Sequence, residues 1–307
     1  MFTGNTVNLC ELADGAGVTV VRDGEFSYIG KIPTNLPRRL VPAIKPEHIL
    51  AADAADGVAG VITLPGQEGL VPSNMIAATS VDPVSASLRI HESLCGRDGF
   101  LWRHFDTEIH PTAKIHPSAV VAARDVRIGP NVEVGPMSVI LERTVLDEGV
   151  RIGVGVTVGL DAFEIFEQAN PRRILKQAGG VWVESGTTIL AKTTVVRATF
   201  GGFTRIRKHA MIDVLIHIAH DAIIGEGATV VACAEISGRC ELGDGAYIGP
   251  NACIRNGVRI GRNATVSMGS VVTRDVPDDA TVSGNFAVDH QDWLRFVKTL
   301  GKSGVSQ

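Results

Sequence analysis

The sequence predicts a mostly β protein: a left-handed parallel β-helix of hexapeptide repeats, with a small N-terminal α/β domain before it and a short C-terminal helix after it. Three observations carry that prediction. An aliphatic residue stands at every sixth position from Ile206 to Val272, through Ile212, Ile218, Ile224, Val230, Ile236, Leu242, Ile248, Ile254, Ile260 and Val266. The residue two places before it is usually small, as at Ala210, Ala222, Ala228, Ala234, Ala246, Ala252 and Ala264. Glycine directly follows it at Gly225, Gly243, Gly249 and Gly261. A helix repeats near 3.6 residues and a strand at 2, so a sustained six means short strands joined by tight corners and stacked as a solenoid. Three strands make one coil of eighteen residues. Small side chains suit crowded corners, and the glycines are expected to supply a turn with φ > 0.

The elements follow in chain order. Residues 1–105 lack the six-residue period and form the α/β unit. Within it, Val18 to Val21 and Phe26 to Ile29 flank Asp23-Gly24, which predicts a hairpin. Val58 to Leu64 and Met75 to Val81 are two further β-rich runs. Asp82-Pro83 predicts the start of a helix through Leu94, with proline in its first turn. No GxGxxG fingerprint marks the unit as a dinucleotide binder. The solenoid, residues 106–280, opens with Ile109, Ile115 and Val121, takes one extra residue, and continues as Ile128, Val134, Ile140, Leu146, Ile152 and Val158. From Leu160 to Gly180 a charged stretch containing Pro171 leaves the coil as a loop, and Val183, Ile189 and Val195 resume the count. Loops thrown out of rigid solenoids commonly line binding sites. In the tail, 281–307, Asp289 caps a helix that carries Trp293, Phe296, Val297 and Leu300 on one face, ends at Gly301, and is expected to pack on the β-helix or on a neighbouring subunit.

Composition narrows the class. Of 307 residues 45% are hydrophobic and only 5% aromatic, which suits stacked aliphatic layers. A formal charge of −4 predicts no nucleic-acid partner. The N-terminus has no basic-then-apolar run and no apolar stretch is long enough to span a bilayer, so a cytoplasmic protein without a membrane span is expected. Cys10, Cys95, Cys233, Cys240 and Cys253 show no CxxC or metal-ligand spacing and read as buried small hydrophobes.

Chemistry points to Ile216-His217-Ile218-Ala219-His220-Asp221. His220 follows a core aliphatic by two places, which turns it outward, where an imidazole can act as a general base near neutral pH. One coil further on stands Gly238, about 4.8 Å up the stack. Without a side chain there, a substrate carbonyl can reach its N–H. A base beside an exposed amide donor is the minimum equipment for acyl transfer. A solvated surface histidine is the alternative reading of the same spacing.

His217-Ile-Ala-His220-Asp221 with Ile223-Ile224-Gly225 resembles the catalytic segment of the bacterial lipid A acyltransferases, and the match extends upstream through Thr193-Thr-Val-Val-Arg197. The layout is similar to that of the UDP-3-O-acylglucosamine N-acyltransferases, including residues 57–94, Ser283-Gly-Asn-Phe286 and Asp292-Trp293-Leu294-Arg295. The resemblance implies His220 as general base, Gly238 as oxyanion donor and Asp213 as the carboxylate that orients the base. It also implies direct attack by a sugar amine on a phosphopantetheine thioester, acyl-ACP or acyl-CoA, with no cofactor bound and no metal, in a homotrimer. His217, Asp161, Phe163, Tyr28 and Arg197 are its candidates for substrate contact, and Arg239, Arg255 and Arg259, with Arg262 and Arg274 nearby, for the donor. Several positions depart from the family pattern. Its Gly-x-Asp-Gly-Phe-Gly loop stands here as Gly159-Leu-Asp161-Ala162-Phe163-Glu164, Gly257 replaces a histidine, Val196 an acidic residue, and Phe26-Ser-Tyr28-Ile-Gly-Lys31 an aromatic nucleotide-binding stretch. Tyr28 is the candidate to stack on a base, with a core tyrosine as its alternative. These departures suggest another amino sugar or acyl group. Acetyl-CoA-dependent N-acetylation of a nucleotide amino sugar is the first alternative. A γ-carbonic-anhydrase-like hydratase using His209, His217 and His220 and a non-catalytic sugar-nucleotide-binding protein are the others.

Overall fold

The computed structural model describes residues 2–303, apart from 33, 35, 168–170 and 285–286. Three parallel sheets of eight, eight and nine strands stack into the β-helix, and most strands are only two or three residues long. Successive coils pair in register eighteen residues apart, as Ile206 with Ile224, Ile224 with Leu242 and Leu242 with Ile260. The first coil takes nineteen, pairing Ile109 with Ile128, which absorbs the extra residue. One continuous cluster fills the interior, formed by the period-six aliphatics and the alanines two places before them.

The left-handed backbone at each corner lies three residues after the aliphatic, at His209, Leu215, Asp221, Gly227, Cys233, Arg239, Gly245, Asn251, Gly257, Asn263 and Gly269. This corrects the expected role of Gly225, Gly243, Gly249 and Gly261, none of which has positive φ. They are glycine because the next coil crosses too closely. A Cβ at Gly249 would lie 2.6 Å from Met268 N, and one at Gly225 would run into the backbone of Gly243.

Two excursions leave the solenoid. After Thr157–Leu160 the chain forms an antiparallel hairpin, Ile165–Phe166 with Arg173–Ile174, rather than an unpaired loop. A second excursion, passed over in the sequence, lies between Val195 and Ile206, where eleven residues replace six. That coil pairs Val183 with Ile206, twenty-three residues apart.

The N-terminal unit is a five-stranded sheet in the order Thr19–Arg22, Ile76–Thr79, Val58–Thr63, Arg39–Ala43, Tyr28–Ile29, with only the first pair antiparallel. The expected hairpin about Asp23-Gly24 does not form. Thr19–Arg22 pairs with Ile76–Thr79 instead, and Glu25–Phe26 with Val7–Asn8. Alternation along the strands divides the core. Leu40, Ile62 and Ala78 pack with helix Pro83–Gly96 on one face, and Val41, Val61 and Ala77 with helix Pro46–Asp53 on the other. Asp82 caps Pro83–Gly96 as expected, accepting from Ser85 N at 3.1 Å. Phe166, Leu175 and Ala178 of the hairpin arm and Phe200 of the second excursion join the first of these clusters. His91, whose burial drives its pKa down to about 4, meets the Lys176 carbonyl at 2.8 Å. A neutral imidazole there donates Nε2–H, and this hydrogen bond, the packing, and the Lys31–Glu164 and Arg173–Glu92 ion pairs fasten the arm to the N-terminal unit.

The C-terminal helix runs His290–Ser303, past Gly301. Asp289 Oδ1 accepts from Gln291 N at 2.9 Å. Trp293, Phe296 and Val297 are exposed, so that face does not pack on this chain's β-helix. The side chain of Leu300, and Asn285 and Phe286 of the exit motif, lie outside the described residues. Cys10 and Cys233 are exposed, Cys95 and Cys253 half-buried, and only Cys240 buried, so the expectation of five buried cysteines fails for four.

Candidate active site

His220 occupies the corner after the strand His217–Ile218, and Asp221 beside it takes the left-handed conformation at φ 59°, which aspartate tolerates better than most residues. This turn brings the Asp221 carboxylate back onto the ring: Oδ2 lies 2.8 Å from His220 Nδ1. The excursion supports the pair. Thr199 Oγ1 stands 3.3 Å from the same Nδ1, and Thr199 N donates to Asp221 Oδ1 at 3.3 Å. Thr204 Oγ1 accepts from Asp221 N at 2.9 Å. A carboxylate that takes Nδ1–H leaves the Nε2 lone pair directed outward, the tautomer a general base needs.

Asp213, expected beside His220, makes no hydrogen bond to it among the described residues. It sits seven residues earlier, one corner back around the triangular coil, where its Oδ2 accepts from Ala232 N at 3.1 Å. Asp221 fills that position, and the sequence signal was its adjacency to His220 combined with the period-six left-handed corner.

Gly238 lies over the ring. Its carbonyl accepts from Gly257 N at 3.0 Å, while its N–H has no hydrogen-bond acceptor among the described residues. Its φ is not positive. What singles it out is the missing Cβ, which would fall 2.5 Å from His220 Nε2 and 2.6 Å from Cε1. Glycine is required here by the imidazole, not by the backbone.

The arm supplies a residue that motif reading treated only as a lost glycine. Glu164 Oε2 stands 3.8 Å from His220 Nε2 and 3.2 Å from Arg239 Nη2, and Oε1 lies 3.1 Å from Lys31 Nζ. Burial pushes the Glu164 carboxyl upward, but Lys31 and Arg239 outweigh it and hold the group below its ordinary value. It is therefore ionised at neutral pH. Arg239 is thus not a free donor-binding cation: its side chain is 5% exposed and bound to Glu164.

The other candidates scatter. His217 Nδ1 pairs with Glu235 Oε1 at 2.8 Å on the neighbouring coil, and that hydrogen bond raises its pKa against burial. Arg197 Nε reaches the Gly159 carbonyl at 2.7 Å and Asp161 Oδ1 at 3.2 Å, while Phe163 is exposed at the base of the arm. Tyr28 is a core residue, 5% exposed, with its ring against Gly201, so it is not available to stack on a nucleotide base. Arg255 donates to the Thr273 carbonyl, and Arg259 pairs with Glu241 at 3.3 Å. A cleft of about 360 Å³ runs past the site between the N-terminal unit and the β-helix, lined among others by Leu36, Asp56, Asp221, Arg239, Gly257 and Arg259. Cys240 borders it, but burial pushes this thiol up to about 11, so it is protonated at neutral pH and no nucleophile. His209 abuts Gly186 at another corner, so His209, His217 and His220 do not converge within the chain.

The family model "Bacterial transferase hexapeptide (six repeats)" matches residues 239–274. The UDP-3-O-acylglucosamine N-acyltransferase of Caulobacter sp. (strain K31) is 34% identical over 128 residues, 42% of this chain and 37% of that protein. The same enzyme of Methylobacterium nodulans is 32% identical over 142 residues, 46% and 40% of the two chains. The matches therefore span about two fifths of the length of these relatives. Among solved structures, the UDP-N-acetylglucosamine acyltransferase of Campylobacter jejuni superposes with a TM-score of 0.48 at 24% identity, covering 63% of this chain and 83% of that one.

Proposed function

We propose that the protein is an N-acyltransferase that moves an acyl group from a phosphopantetheine thioester, acyl-ACP or acyl-CoA, to the amine of a nucleotide-linked amino sugar. The observation that carries this reading is the Asp221–His220 pair with Nε2 directed over the side-chain-free Gly238. Similarity to UDP-3-O-acylglucosamine N-acyltransferases supports the substrate class.

The amine attacks the thioester carbonyl directly. His220 Nε2 takes a proton from the nitrogen as the C–N bond forms, and Asp221 stabilises the imidazolium. The Gly238 N–H donates to the developing oxyanion. When the C–S bond breaks, His220 returns the proton to the leaving thiolate. No residue carries the acyl group, so no serine or cysteine nucleophile is required.

Homotrimeric assembly around the flat sheets, with the groove between neighbours, belongs to this proposal, as does a cytoplasmic location beside the thioester donors. No described helix is long and apolar enough to cross a membrane. The test incubates purified protein with UDP-3-O-acylglucosamine and other UDP-, dTDP- and GDP-linked amino sugars, each with long-chain acyl-ACP or acetyl-CoA. Mass spectrometry reads an amide product whose rate of formation falls about 10²- to 10⁴-fold with His220→Ala. Amide formation from acetyl-CoA alone would favour the acetyltransferase alternative. No amide with any pair would refute the proposal.

A further inference from the structure

Glu164 faces the catalytic side of His220 from the hairpin arm, at a position where the family loop motif has glycine. Its Oε1 is paired with Lys31 and its Oε2 with Arg239, and a carboxylate oxygen has two acceptor sites, so Oε2 keeps one for a substrate. The 3.8 Å between Oε2 and His220 Nε2 is too long for a hydrogen bond and too short for an atom on the line joining them. A nitrogen to one side, roughly 2.9 Å from both, fits with an angle of about 80° between its two hydrogen bonds, and a small retreat of the arm widens it. The two acceptors thus converge on one point beside Gly238.

We propose that Glu164 and His220 together accept the two N–H bonds of the attacking amine, and that Glu164 thereby selects amines over hydroxyls. This rests on the acyl-transfer reading above. With both hydrogens held, the remaining lone pair of the nitrogen is aimed at the thioester. As the C–N bond forms and the C–S bond breaks, one proton passes through His220 to the leaving thiolate. The other stays on the product amide, held at Glu164. A hydroxyl has a single hydrogen. Once that is given to His220, the Glu164 carboxylate faces an oxygen lone pair and repels it. The cations at Lys31 and Arg239 keep the carboxylate ionised and fix its direction.

The experiment compares kcat/KM for UDP-3-O-acylglucosamine and for its glucose counterpart, with a hydroxyl at C2, using one acyl-ACP and three proteins: wild type, Glu164→Ala and Lys31→Ala. Melting temperature and solution mass establish that each is folded. Glu164→Ala is expected to lower the amine rate about ten- to hundred-fold, the range for a hydrogen bond to a charged group, without lowering the hydroxyl rate. Lys31→Ala removes one of the two cations that direct the carboxylate but keeps the carboxylate and its Arg239 partner, and should lower the amine-to-hydroxyl ratio less than Glu164→Ala does. Equal losses with both acceptors in Glu164→Ala, or no loss, would overturn this inference and leave the N-acyltransferase reading intact. If the hydroxyl rate is undetectable throughout, an amine loss no larger than that of Lys31→Ala overturns it. Absence of amine acylation by the wild type overturns both.

Discussion

Replacing Gly238 by alanine tests the site at its narrowest point. The added Cβ would stand 2.5 Å from His220 Nε2, 2.6 Å from Cε1 and 3.1 Å from Cδ2, against an ordinary contact of at least 3.4 Å. Backbone geometry does not oppose alanine, because Gly238 is outside the left-handed region. The backbone of the corner is held by its own ladder, with the Gly238 carbonyl accepting from Gly257 N at 3.0 Å and Arg239 N donating to the His220 carbonyl at 2.9 Å. The imidazole must therefore swing away, which breaks its 2.8 Å contact with Asp221, a charge-assisted bond worth about 1.5–3 kcal/mol. Nε2 then no longer points to where the amine enters, so most of the general-base contribution, typically about 10²- to 10⁴-fold, is lost. The expected result is a fall of that size in kcat, a smaller change in KM, and a melting temperature lowered by only a few degrees. Steady-state kinetics with an amine acceptor, differential scanning calorimetry and light scattering measure the three quantities. A folded Gly238→Ala protein of unchanged mass and undiminished kcat would refute the placement of His220 against Gly238, and with it the oxyanion role.

Further outcomes follow from the same geometry. His220→Ala should lower kcat about 10²- to 10⁴-fold, and Asp221→Asn should lower it more than Asp213→Asn; the reverse order in steady-state kinetics would return the orienting role to Asp213. Gly225→Ala, whose Cβ meets the backbone of Gly243, should destabilise more than Gly227→Ala, which pays only the left-handed penalty of about 1–2 kcal/mol at φ 64°; denaturant melts decide between them. The hydrogen bond that His217 donates to Glu235 raises the His217 pKa, so this pair stabilises the fold fully below the unfolded histidine value of about 6.5 and its contribution is lost as pH rises through the folded value. Glu235→Gln should therefore lower the melting temperature at pH 5.5 by an amount that shrinks at higher pH, within about 1 kcal/mol because the pair is partly exposed.

How much was legible before the structure depends on whether a feature repeats. The β-helix was readable because every coil restates the same constraint, and so was the vertical neighbour of His220, since eighteen residues is one turn of that ladder. Asp213 was misplaced for the opposite reason. Linear spacing along a triangular coil does not say which corner a side chain occupies, whereas Asp221 is held against His220 by a left-handed turn that recurs every sixth residue. Glycine's role was misjudged at Gly225 because a positive φ and a close backbone crossing leave the same residue in the sequence. The least legible parts were the insertions. Thr199 and Glu164 lie in segments that break the period, and each reaches His220 by folding back on the N-terminal unit through Phe200, Phe166 and Leu175. A periodic scaffold fixes the base and its glycine; what surrounds the base is set by long-range packing that no local pattern encodes. On the acyl-transfer reading proposed above, that division is why Glu164, standing in the arm where the resembled loop motif has glycine, can alter which acceptor the site admits without disturbing the coil that positions His220.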